Sequence, residues 1–137
     1  MRLAEIPILT EAVVSLGVGA LMVAFCPFRR VAARLAVPVG RPAERREEIL
    51  PVRRAVRRAA RNVPWRALCF EQGLAVQAML KRRGLATTLH YGVARGSSAE
   101  GRDLKAHVWV TSGDHMVIGG EVASQFVELA RFPAVRQ

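Results

Sequence analysis

Cys69 stands at the head of a strongly helical run, and His107 follows 38 positions later (107 − 69 = 38) on an alternating segment, Ala106-His107-Val108-Trp109-Val110. A thiol attacks carbonyl carbon well only as its thiolate, which a helix N-terminus and a neighbouring imidazole both favour. The first amides of a helix also lack intrahelical acceptors. The backbone N–H of Cys69 is therefore a candidate donor to a developing oxyanion. His107 is the candidate general base and acid, taking the thiol proton and returning it to a leaving group. Each residue has an ordinary reading as well. A cysteine is often a small buried hydrophobe, and a strand histidine is often structural.

The elements that must position this pair are legible as an α+β pattern. Residues 68–83 form the nucleophile helix, with Leu68, Leu74, Ala75, Ala78 and Met79 along one face. Lys81, Arg82 and Arg83 sit in its last turn, where cations suit the macrodipole, and Gly84 ends it. Strands are predicted over residues 86–93, 104–111 and 116–118, with 126–129 as a last strand. Ser112-Gly113-Asp114-His115 is the turn of a hairpin. Alternation along 106–110 puts His107 and Trp109 on one face and Ala106, Val108 and Val110 on the other. Upstream, residues 5–37 read as one or two apolar helices broken near Cys26-Pro27. Residues 38–42 read as a turn or linker. Pro51 opens a helix within the charged stretch 43–62. The expected division is an N-terminal apolar helical segment, 1–42, and a catalytic core, 43–137, within one compact domain.

Lys and Arg number 21 against 11 Asp and Glu, a formal net charge of +10. Residues 29–61 hold eleven Arg and three Glu, so 11 − 3 = +8 of that excess lies there. Such a stretch reads as the solvated face of an amphipathic helix or as a docking surface for an acidic peptide. No aromatic stacking platform accompanies it, so no nucleic-acid partner is expected. The two cysteines, Cys26 and Cys69, form no disulfide framework, which fits a cytoplasmic setting and a free thiol. Residues 12–28 are uncharged and reach the lower limit for crossing a bilayer. The segment reads as a buried or peripherally docked helix, with a membrane anchor as the alternative.

Trp65, Gln72, His90 and Trp109 are the candidate substrate contacts. His115 falls at the hairpin tip. The histidines and acids have no ligand spacing, so no metal and no cofactor are expected.

Pro64-Trp65-Arg66-Ala67-Leu68-Cys69, Gly73-Leu74-Ala75 and Met79-Leu80-Lys81-Arg82-Arg83-Gly84 resemble the nucleophile helix of lasso-peptide leader peptidases, a transglutaminase-like family. Leu89-His90-Tyr91-Gly92-Val93, Ala106 to Val110 and Val117-Ile118-Gly119-Gly120-Glu121 continue the likeness, which covers roughly 31–133. The resemblance implies a transglutaminase-like (papain-like) cysteine-protease core, with a nucleophile helix packed on a small antiparallel sheet. It implies cleavage of a ribosomally made precursor peptide, removing the leader before macrolactam cyclisation. The implied partners are the precursor, a separate leader-recognition protein and an asparagine-synthetase-like cyclase, the chain itself acting as a stand-alone peptidase. A transglutaminase-like acyltransferase or deamidase, and a basic membrane-associated scaffold, are the alternatives.

One departure stands out. The family's triad carries an acid about a dozen residues beyond the histidine, where this chain has Gly119-Gly120. A two-residue turn at Gly113-Asp114 would set His107 opposite Gly120, and a three-residue turn would set it opposite Glu121. In both cases Asp114 falls at the far end of the hairpin, ~20 Å away at about 3.3 Å per residue. Glu121 is the candidate third member, with a backbone carbonyl or water as the alternative orienter.

Overall fold

The computed structural model describes residues 6–35, 40–65, 67–95, 104–120 and 126–132. Two helices, α1 (Ile6–Phe25) and α2 (Phe28–Leu35), open the chain and are separated at Cys26-Pro27 as the proline requires. A short strand β1 (Arg41–Pro42) and a 3-10 turn (Arg46–Glu48) lead to α3 (Leu50–Ala60). The helix headed by Cys69 is α4 (Cys69–Arg82), followed by β2 (Leu85–Ala86), β3 (Thr88–Arg95), β4 (Leu104–Ser112), β5 (His115–Ile118) and β6 (Val127–Phe132).

Four strands form an antiparallel sheet in the order β5-β4-β3-β6. Strands β3 and β4 pair along their whole length, with His90 opposite Trp109 and Gly92 opposite His107. The β4–β5 turn is the two-residue form, Ser112 pairing with His115. A register shift between Val110 and Thr111 then sets Val110 opposite Ile118, one residue further along than an unbroken hairpin would. Residues 38–42, expected as a turn or linker, contain β1, which pairs in parallel with β2. The Arg41 N–H donates to Gly84 O at 3.1 Å. The Ala43 N–H donates to the buried Ser112 hydroxyl, which in turn donates to Ala86 O. These bonds give this segment the partners that a free linker lacks.

Helix α4 lies across the sheet at Gly73. A Cβ there would stand 3.2 Å from Val108 Cγ1 and 3.4 Å from Leu89 Cδ1. A larger residue would require Val108 and Leu89 to shift by a few tenths of an ångström, so glycine, one turn beyond Cys69, allows the closer approach. Glu71 in the first turn and Lys81 and Arg82 in the last turn complement the helix dipole. Leu68, expected on the buried face, is instead 54% exposed, because it precedes the helix as its N-cap residue.

A single core joins the N-terminal helices to the rest. Ala12 and Leu16 of α1 and Val31 of α2 are buried together with Val52 and Val56 of α3, Met79 and Leu80 of α4, and Val108 and Val110 of β4. Helix α1 is long and apolar enough to cross a membrane, yet Ala12, Ser15, Leu16 and Gly19 are buried inside the protein. Its one charged residue is clamped. Glu11 accepts hydrogen bonds at 2.7 Å from Arg82 and at 2.7 Å from Arg83, both from the end of α4.

Hydrogen bonding from Arg83 lowers the Glu11 carboxyl below the usual range; burial opposes this and Arg82 adds to it. A carboxyl lowered on folding stabilises the native state above its unfolded pKa, ~4.3, and loses that contribution as pH falls through the folded value. Glu11→Gln is therefore expected to cost about 1 kcal/mol near neutral pH. The gap from the unaltered protein should be smaller in acid, once pH has fallen through the folded value, than at neutral pH. Thermal melts at the two pH values check this, and an equal gap at both would contradict it.

Candidate active site

Cys69 is the first residue of α4, and Leu68, in extended conformation, is its N-cap with no side chain capping the helix. The first intrahelical bond runs from the Gln72 N–H to Leu68 O at 2.9 Å. The amides ahead of it, that of Cys69 among them, are oriented along the positive end of the helix. Cys69 is half-buried.

His107 is held from two sides. Its Nε2 is 2.6 Å from the carbonyl oxygen of Gly119. A carbonyl only accepts, so Nε2 carries the hydrogen and Nδ1 is left as the basic nitrogen of the neutral ring. Its faces meet Trp109, with ring centroids 6.0 Å apart, and Phe126, at 5.1 Å. The imidazole thus has a fixed tautomer and a fixed plane.

The acceptor at His107 is a backbone atom, not a carboxylate. Gly119 has φ of 80°, and a Cβ there would lie 2.7 Å from Val108 O. Glu121 lies outside the described residues. Asp114 is an exposed turn residue at the tip of the hairpin. Gly119→Ala is expected to strain the backbone by about 1–3 kcal/mol and to move the carbonyl off His107. Activity assayed well below the melting temperature should fall about tenfold to a hundredfold. Unchanged turnover in a folded Gly119→Ala variant would show that this carbonyl does not orient the ring.

Cys69 and His107 line two cavities in common. The larger, of about 700 Å³, is walled chiefly by apolar groups, among them Val23, Val31, Tyr91, Leu129 and Phe132. The smaller, of about 230 Å³, adds Arg57, Gln72, Ile118 and Gly119. The two residues therefore sit between an apolar recess and a small polar one.

The remaining candidates fall in different places. Gln72 lines the smaller cavity, and its side-chain amide donates to Ala67 O at 2.9 Å. Trp65 packs on Gly17 of α1 and lines a separate cavity along that helix. Trp109 is nearly buried, stacked between His107 and His90. His90 lines neither Cys69 cavity. Its ring lies parallel to that of Trp109 with centroids 5.5 Å apart, Nδ1 bonds the Glu128 carboxylate, and Nε2 is 2.8 Å from Thr111 Oγ1. Burial raises the Glu128 carboxyl, but hydrogen bonds from His90 and Arg131 outweigh it, so the group stays below the usual range. His90 and Trp109 thus buttress the His107 ring instead of facing the recess. His115, expected at the hairpin tip, lies 3.2 Å from Glu44 O through Nε2.

Sequence reasoning did not anticipate Val23, Cys26, Leu129 or Phe132 as walls of the recess. They come from α1, the α1–α2 break and β6, and only the alternating apolar residues of 127–132 hinted at a strand face.

A family model described as the transglutaminase-like superfamily matches residues 12–131. No curated protein and no solved structure matches the chain.

Proposed function

Since this chain belongs to the transglutaminase-like superfamily, whose members are often cysteine-dependent enzymes, we propose that it is a cysteine peptidase that removes the leader from a ribosomally made lasso-peptide precursor. The observation that carries the proposal is the wall shared by Cys69 and His107, with the His107 tautomer set by Gly119 O. The ordered motifs around both residues support the choice of substrate.

In this reading His107 Nδ1 accepts the thiol proton as Cys69 Sγ attacks the scissile carbonyl. The tetrahedral oxyanion lies toward the first amides of α4. His107 gives the proton to the leaving amine, and a thioester remains on Cys69. Water, deprotonated by the same nitrogen, hydrolyses the thioester and restores the thiol. The partners are the precursor, a leader-recognition protein and an asparagine-synthetase-like cyclase, met in the cytoplasm.

The experiment mixes the purified chain and the recognition protein with precursor and follows mass. Loss of the leader at one bond is expected. Amine addition or deamidation, with the precursor otherwise intact, would replace the peptidase with an acyltransferase.

A further inference from the structure

The recess beside Cys69 does not end at α1. Val23 and Glu71 line it and also line a second cavity of about 650 Å³, which runs along α1 past Leu21 to Trp65. This second cavity is also lined by Gly17, where a Cβ would meet the indole ring of Trp65 at 3.5 Å, an ordinary van der Waals contact. The rims are apolar and open to solvent: Leu21 is 59% exposed, Val23 41% and Leu68 54%. Exposed apolar groups gathered around a cavity mark a place where another group docks.

We infer that these two cavities form one track that binds two apolar side chains of the peptide substrate, on one side of the bond Cys69 attacks. One side chain sits between Val23 and Phe132, beside the thiol. The next apolar side chain along the peptide sits between Leu21 and Trp65. The occupant follows from continuity: the first cavity is walled by Cys69 and His107, so whatever presents a carbonyl to the thiol must place its neighbouring groups there. Since the walls offer mainly carbon, the side chains that gain by entering are Leu, Ile, Met or Phe. The inference rests on the reading of Cys69 as the nucleophile, and it adds a selectivity that the nucleophile alone does not supply.

The test separates binding from turnover. The full-length Cys69→Ala variant is titrated with a blocked Leu-Phe-containing hexapeptide and with a Ser-Gly hexapeptide, following tryptophan fluorescence. The Leu-Phe peptide should give a saturable change that disappears in the added Trp65→Phe variant. It should bind about tenfold or more weakly when Leu21→Glu is introduced, since each lost apolar contact removes on the order of one decade of affinity. Leu21 faces solvent, so that substitution spares the core.

Equal binding of the two peptides, or undiminished binding by Leu21→Glu, would overturn the inference. So would a concentration-dependent dimer in sedimentation that Leu21→Glu dissociates while no peptide binds, because a second copy would then own the surface. Apolar binding without precursor cleavage by the unaltered chain would uphold the track and sink the peptidase reading. Cleavage without apolar binding would do the reverse.

Discussion

Cys69→Ala is expected to abolish precursor cleavage while leaving the fold in place. Cys26 also lines the recess, but Cys69 heads α4 and shares the smaller cavity with His107 as well, which makes its thiol the one placed to form and release an acyl intermediate. Without it the positioned amides and the imidazole have no covalent partner to assist. In triads of this logic, removal of the nucleophile lowers turnover by about 10⁴-fold or more. Cys69 is half-buried at the first position of α4, and its N-cap residue, Leu68, makes no side-chain cap. Losing one sulfur there should cost less than about 1 kcal/mol. Mass spectrometry at equimolar enzyme and precursor, with a thermal melt of the same sample, checks both halves. A Cys69→Ala protein that melts normally and still cuts would remove Cys69 from the chemistry.

His107→Ala is expected to have the second-largest effect, a fall of about 10²- to 10⁴-fold in kcat. The acid–base step is needed in both acylation and hydrolysis, so the loss falls chiefly on the chemical step. KM should therefore change little, and kcat and kcat/KM should fall together. Some loss of stability accompanies it, since Trp109 and Phe126 each lose an aromatic neighbour worth about 0.5–1.5 kcal/mol. Assays must sit well below the lowered melting temperature. Because the two residues act as a unit, combining His107→Ala with Cys69→Ala should add almost nothing to the loss. A full second decrement in the double variant would mean that the residues work separately.

The helices and the strand pattern were legible because each rests on local periodicity, and the same signal put Cys69 at a helix head and His107 on a strand. The break at Pro27, the stop at Gly84 and the turn at Gly113-Asp114 are side-chain decisions taken within a few residues. A backbone carbonyl was among the expected orienters of His107, but which one was not legible in the same way. The acceptor is a main-chain oxygen, and its placement depends on a one-residue shift in the β4–β5 ladder that no side chain announces. The partners of His90 were hidden for a related reason. Its strand was legible, but only the arrival of β6 supplies Glu128, which engages the ring and turns it into a support. The recess walls were hidden by distance along the chain: Val23 and Phe132 are separated by most of the sequence and meet only when α1 and β6 converge beside α4.

That meeting gives α1 a double duty with a practical edge. An apolar helix at the start of a chain invites removal by anyone preparing the protein in quantity. A shortened version beginning at Phe28 would strip Ala12 and Leu16 from the interior, leave Arg82 and Arg83 without Glu11, and take away Val23 and Cys26 beside the thiol. Detergent or a bound peptide would be the gentler remedy for poor solubility, since either can cover the outer face of α1 without disturbing the inner one.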